Sequence, residues 1–177
     1  MTITLEELLE GGIAHATRIL ITERHKELQP FFHLVLPNDE MALVPVKWAN
    51  ETEKQIVLAG VRHVAKELGA TMALTLSEAW AVEAPDNIKT VEAGREWMKR
   101  QDPPSESPRR KEIVIICATD GERTIGKSLS IERNKHTRKI DRLVESGGAL
   151  AGVHFEGRLI DVLPRKRQSA RGEGERP

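Results

Sequence analysis

The sequence predicts an α+β fold, a largely antiparallel sheet packed by one long helix and shorter N-terminal helices. Three observations predict it. An amphipathic helical run follows Asn50, two apolar runs have strand character (71–83 and 113–118), and short turn signals punctuate the chain at Pro37-Asn38-Asp39 and Asp120-Gly121. Connections that short join antiparallel neighbours, because a parallel return needs a crossover of a dozen residues or more.

Thr4 is a good N-cap, Glu7 three residues on completes a capping box, and Gly11-Gly12 reads as the stop of a short helix. A second helix is expected from Ala14 to Leu28, closed by Pro30. Phe31 to Leu36 is a compact apolar run, and after the Pro37-Asn38-Asp39 turn a second strand is expected from Ala42 to Trp48. The long helix follows, with Asn50 as cap, Glu53 at the third position, and Val57, Val61, Val64 and Leu68 along one face before Gly69.

Thr71 to Glu83 alternates, with Met72, Leu74, Leu76, Trp80 and Val82 on one side and small residues on the other. Its length suits a central strand. From 84 to 111 the composition turns polar and proline-rich, a polar insertion in which Ile88, Val91, Arg95 and Met98 share a short helical face. Ile113 to Ala118 is apolar on both faces, as expected of a covered strand. Asp120-Gly121 then predicts a type I′ hairpin turn into a strand from Thr124 to Arg133. The basic stretch Arg133 to Arg142 leads to an expected helical turn ending at Gly147-Gly148, and a last hairpin is expected from 149–155 and 158–163 around Glu156-Gly157. The chain thus reads as one domain over 1–163, with a disordered basic tail at 164–177 that carries no large aliphatic residue.

The chain has 177 residues, 39% of them hydrophobic and 31% charged, with three Phe, three Trp and no Tyr, so its core must rest on aliphatic side chains. Formal net charge is zero, yet residues 1–100 hold 11 basic and 15 acidic side chains against 16 and 12 in residues 101–177. Cys117 is the single cysteine and lies in an apolar run, which suits a buried thiol in a reducing compartment. No apolar stretch reaches the ~18 residues of a membrane span, and the acidic N-terminus lacks signal-peptide order, so a cytoplasmic protein with no membrane association is expected.

Gly121-Glu122-Arg123-Thr124-Ile125-Gly126-Lys127-Ser128 fits the phosphate-binding formula G-x-x-x-x-G-K-S after an apolar strand. That loop works only if a helix starts at the Lys-Ser, because the free amides of the helix N-terminus hold the phosphates. Here Ser128 to Arg133 alternates as a strand does, which favours a hairpin over nucleotide binding at 121–128. Glu78 falls in register with Leu76 and Trp80 on an apolar face, where a carboxylate must find a partner or rise in pKa. It is the one candidate catalytic residue, weighed against a strand that leaves the core there or an arginine that covers it. His15, His25, His33, His63, His136 and His154 show no ligand spacing, so neither a metal nor a cofactor is expected.

Basic residues cluster at Arg109-Arg110-Lys111, at Arg133, Lys135, Arg138, Lys139 and Arg142, and at Arg165-Lys166-Arg167. Gathered by the fold, they would make a phosphate-binding surface; scattered, they are a solvated face and a tail.

Leu76-Ser77-Glu78-Ala79-Trp80, then Pro104-Ser105-Glu106-Ser107-Pro108 and Arg110, then a strand and an Asp-Gly hairpin, resembles a family of uncharacterised bacterial and phage proteins. The resemblance implies a proline-bounded loop followed by an antiparallel pair, and brings no activity with it. With a complete scaffold and no catalytic constellation, the leading expectation is a non-enzymatic accessory or interaction protein of bacterial or phage origin. It would meet a protein partner through loop 84–111. The alternatives are a nucleic-acid-binding module using the basic clusters and an enzyme with a site around Glu78.

Overall fold

Thr4 starts the first helix as its capping box requires: Thr4 Oγ1 accepts from the Glu7 N–H at 3.2 Å, and Glu7 Oε2 accepts from the Thr4 N–H at 2.9 Å. In the computed structural model, which describes residues 3–25, 27–82, 84–85, 87–88, 90–101, 103–145 and 162–163, this helix, α1, spans Leu5–Thr17 and runs directly into a π-helical turn at Arg18–Thr22. The expected stop at Gly11-Gly12 does not occur, and one helix stands where two were expected. Gly12 is buried against the sheet, while Leu5, Leu8, Leu9 and Ala16 of α1 are buried beside it. Two helical glycines cost about 1 kcal/mol each, less than the burial of three leucines at roughly 1.5–3 kcal/mol apiece.

The sheet has six strands in the order β2-β1-β3-β4-β5-β6. They are β1 (Phe31–Val35), β2 (Met41–Pro45), β3 (Met72–Ala81), β4 (Lys111–Thr119), β5 (Thr124–Arg133) and β6 (Ile140–Glu145). Every neighbouring pair is antiparallel. The long alternating run is interior, with β3 paired to β1 on one side and β4 on the other. The 37–39 turn forms as read, with Asp39 at φ 62° and its N–H donating to Leu36 O at 3.0 Å.

Helices cover both faces of this sheet, in place of one long helix with short companions. Leu5, Leu8 and Leu9 of α1 pack with Phe31, Val35, Leu74, Leu76, Val114 and Ile116. On the opposite face α2 (Glu51–Glu67), capped by the Asn50 side chain accepting from the Glu53 N–H at 2.9 Å, packs Leu58, Val61 and Ala65 against Phe32, Leu34 and Ala73. The buried stripe is rotated from the expected one: Val64 and Leu68 are exposed and Leu58 is fully buried. Both stripes have helical spacing, and only the sheet decides which faces inward. A third helix, α3 (Val91–Met98), lies within the 84–111 insertion.

Two further expectations change. The β4–β5 link is the four-residue stretch 120–123, in which Asp120 Oδ1 accepts from the N–H groups of Glu122 (2.9 Å) and Arg123 (2.7 Å). Only Gly121, at φ 86°, has the left-handed backbone that a type I′ turn needs at two positions. The expected helical turn within 133–148 is instead a hairpin ending in strand β6, because Arg138 at φ 60° breaks any helix and Leu143 faces Ile131 across the ladder. The last expected hairpin and the tail 164–177 lie outside the described residues, apart from Val162 and Leu163, both buried against α2's face of the sheet. No described helix is long and apolar enough to cross a membrane.

Candidate functional site

Antiparallel pairing decides where the basic clusters go. Lys111 opens β4, Arg133 closes β5 and Ile140 opens β6, so 109–111 and 133–142 meet at one end of the sheet. The registers Ile113↔Ser130 between β4 and β5 and Glu132↔Arg142 between β5 and β6 fix this placement. Over 109–112 and 132–142 there are eight basic side chains against three acidic ones, Glu112, Glu132 and Asp141.

The tip between β5 and β6 is tied by its own polar groups. Asn134 Oδ1 accepts from the N–H groups of His136 and Thr137, each at 3.0 Å, and the Asn134 N–H donates to Lys139 O at 2.8 Å. This is an Asx turn closing a hairpin. Lys135, His136, Thr137, Arg138 and Lys139 are all exposed on it. A register shift between Glu132 and Arg133 interrupts the regular ladder where the tip begins.

Two of the cations are committed to neighbours. Arg133 Nε donates to Glu112 Oε2 at 2.5 Å, both side chains being largely covered, and Arg142 Nε donates to Glu132 Oε2 at 2.6 Å. Those pairs neutralise two of the three acids. Arg109, Arg110, Lys135, Arg138 and Lys139 have no carboxylate partner among the described residues, and all five are exposed. Arg110 has a different neighbour: its guanidinium lies 4.6 Å from the centroid of the Trp80 ring and donates to Ser105 O. The third basic cluster, Arg165 to Arg167, lies outside the described residues.

Glu78 sits on β3 two residues before Trp80, on the α1 side of the sheet. Its Oε1 accepts from the Leu28 N–H at 2.7 Å, which pins the segment leading from the π-helical turn into β1. Burial pushes the Glu78 carboxyl above its ordinary value; the Leu28 bond and Arg133 pull it back, and Glu112 and Glu27 push it further up. The carboxylate therefore has a backbone partner, and no second catalytic group is hydrogen-bonded to it among the described residues.

Nor does the 121–128 segment form a phosphate loop. Gly126 pairs with Cys117, Lys127 with Ile116 and Ser128 with Ile115 in mid-ladder, and β5 continues to Arg133 where a helix would have to start. Lys127 Nζ lies 3.3 Å from Glu145 on β6, and the buried Ser128 Oγ has no hydrogen-bond partner among the described residues. Lys127→Ala is therefore expected to change stability by no more than about 0.5 kcal/mol. Ser128→Ala should raise stability by about 1 kcal/mol, because it removes an orphaned buried hydroxyl. Calorimetric titration with Mg-ATP or Mg-GTP should give no binding heat, whereas micromolar binding lost in Lys127→Ala would contradict this geometry.

A concavity of about 460 Å³ lies between α1 and the β1–β2 edge, lined by Glu7, His15, His33 and Met41 among others. The rings of His15 and His33 are 5.4 Å apart at their centroids and nearly perpendicular. Burial pulls both below the ordinary histidine range, helped by Arg18 at His15 and by His15 at His33. No group of three metal-ligating side chains is assembled among the described residues. Cys117, between β3 and β5, is buried and its thiol is pushed up to about 12 by desolvation, which makes it a poor nucleophile.

No protein-family model, curated protein or solved structure matches the chain. The resemblance to bacterial and phage proteins therefore gains no support there, and the geometry of the basic end has to carry the functional argument.

The sequence named each basic cluster but not their meeting. The missed element is the β5–β6 hairpin, whose signal is Asn134 heading a short polar run between two strand-like segments. Trp80 alternates onto the same side of β3 as Leu74 and Leu76, yet it is 40% exposed beside Arg110.

Proposed function

We propose that this chain is a non-enzymatic accessory protein that binds nucleic acid through the basic end of its sheet. The observation that carries this reading is the convergence of two segments, 109–111 and 133–142, on one sheet end, where five exposed cations lack carboxylate partners among the described residues. Exposed lysines and arginines gain little from surface ion pairs. Against a phosphate backbone each one releases a condensed counterion, a gain that adds up over a cluster. The single buried cysteine suits a cytoplasmic setting, and a bacterial or phage origin rests on the resemblance described above.

Among the described residues, a protein partner on the 84–111 insertion has one observation in its favour, the exposed Met98 on α3. One exposed apolar residue is ordinary for a protein surface, so the basic end carries the stronger case. An enzymatic role for Glu78 has less support, since its carboxylate already serves the Leu28 N–H.

Fluorescence anisotropy of labelled DNA and RNA oligonucleotides, titrated with the full chain at several salt concentrations, tests the proposal. Binding at low salt should weaken steeply and linearly on a log–log plot as salt rises. Absence of binding at low salt, or affinity indifferent to salt, would contradict it.

A further inference from the structure

Trp80 is the residue whose setting the basic end does not by itself explain. It lies near the C-terminal end of β3, opposite Glu112 on β4, and thus at the same end of the sheet as Lys111 and Arg133. A tryptophan on the α1 side of an interior strand is ordinarily covered by the neighbouring helix. Here the α1 core stops short of it: the buried residues of β3 on that face end at Leu76, Glu78 is half-buried, and Trp80 is 40% exposed with Arg110 already in place.

The arrangement around the ring is built from several directions. Arg110 lies 4.6 Å from the ring centroid, and its guanidinium is held by donation to Ser105 O. Its backbone is fixed as well, the Arg110 N–H donating to Ser107 O at 3.2 Å, while the Arg109 N–H donates to Ser107 Oγ at 3.2 Å. Two acids on this part of the face are engaged, Glu112 by Arg133 and Glu78 by the Leu28 N–H, and Glu27 is a third carboxylate near Glu78. Across the sheet, the hairpin tip with Lys135, Arg138 and Lys139 begins two strands from β3, roughly 10 Å at about 4.8 Å per strand.

From this geometry we infer that the basic end takes single-stranded nucleic acid, with Trp80 as the platform on which one unpaired base stacks while the cations of 109–110 and 135–139 follow the backbone. The inference rests on the reading of the basic end as a nucleic-acid surface. A base inside a duplex has both faces occupied by its neighbours, so only an unpaired base can use an exposed indole. Stacking tolerates any base, since each has a π-face, and an arginine held at the ring adds a cation–π contribution. The surface should therefore prefer single strands over duplexes and show little sequence preference.

The test titrates the full chain with a single-stranded oligonucleotide of about 12 nucleotides, within the span of known single-strand sites, and with the matching duplex, at one salt concentration. Single strands should bind at least several-fold tighter and quench tryptophan fluorescence. In Trp80→Leu, single-strand affinity should fall roughly tenfold, the loss expected for one base stack. Duplex affinity should stay as it was, and Trp80→Phe should recover most of the single-strand loss. Salt-dependent binding that is equal for both ligands and unchanged in Trp80→Leu would overturn this inference alone, leaving the phosphate surface standing. No binding of either ligand would overturn the phosphate surface and this inference together. Circular dichroism of Trp80→Leu, expected to match the unsubstituted protein because Trp80 is 40% exposed and lies outside both core clusters, separates lost binding from lost folding.

Discussion

The combined substitution Arg109→Ala, Lys135→Ala, Lys139→Ala is expected to lower nucleic-acid affinity roughly a hundredfold at 0.1 M salt. Each phosphate contact contributes about 0.7 to the slope of log affinity against log salt on a single strand, or about fivefold between 1 M and 0.1 M salt, and three contacts multiply. The slope itself should become shallower by about 2. Each single variant should lose about fivefold, which matters because Arg109 lies in a different segment from Lys135 and Lys139 and only the antiparallel pairing brings them to the same end. All three side chains are exposed, so folding stability should change by less than about 0.5 kcal/mol per substitution. If Arg109→Ala were neutral while the hairpin variants lost affinity, the surface would be the β5–β6 tip alone. If the triple variant bound as well as the unsubstituted chain, the basic end would not be the site.

The largest expected stability effect lies in α1. A Cβ on Gly12 would sit 2.9 Å from Ile116 Cγ2 and 2.9 Å from Leu74 Cδ2, closer than packed carbons tolerate. Leu74 and Ile116 are almost fully buried in the main core, and the Ile116 methyl is carried directly on its β-carbon, so it has little room to swing away. Gly12→Ala should therefore cost about 1–3 kcal/mol through overpacking, outweighing its gain in helix propensity. One residue earlier, Gly11 is exposed with nothing within 4 Å of a Cβ. Gly11→Ala should accordingly stabilise by about 0.5–1 kcal/mol. Urea unfolding checks both through midpoints that move in opposite directions at constant slope; two midpoints that both rise would mean that α1 does not press on the sheet at Gly12.

That pair of glycines also shows why sequence reading reached only part of the fold. Strand identity was legible wherever alternation was strong, as in β3, or where an apolar run ended at a clear turn, as in β1 and β4. The capping box at Thr4 and the Asn50 N-cap marked the starts of α1 and α2 correctly, because a cap is settled by residues within one turn of each other. What failed depends on contacts distant in sequence. Gly11-Gly12 has the local signature of a helix stop, and only the flat surface formed by Leu74 and Ile116 makes the bare Cα of Gly12 useful. The buried stripe of α2, with Leu58 in place of Val64, is likewise chosen by the strands beneath it.

The candidate site follows the same division. The lysines and arginines could be named from the sequence, and the 121–128 resemblance to a phosphate loop could be discounted from the strand alternation after Lys127. Their convergence could not be named, because it requires the β5–β6 pairing, and that hairpin was hidden by a basic stretch with the composition of a helix. Trp80 shows the limit of periodicity in the other direction. It shares a face with Leu74 and Leu76, but the cover supplied by α1 ends before β3 does, and a pattern of alternation carries no information about where a covering helix stops.

If the basic end of this sheet is the nucleic-acid surface proposed above, titrating the labelled full chain with a single-stranded oligonucleotide will show it in the amide chemical shifts. Perturbations should cluster at 109–111 and 133–142, with the indole N–H of Trp80 among them, and leave α2 and the β2 edge unmoved. Shifts centred on α2, on the concavity between α1 and β1–β2, or on Lys127 and its neighbours in β5, with residues 133–142 silent, would contradict it.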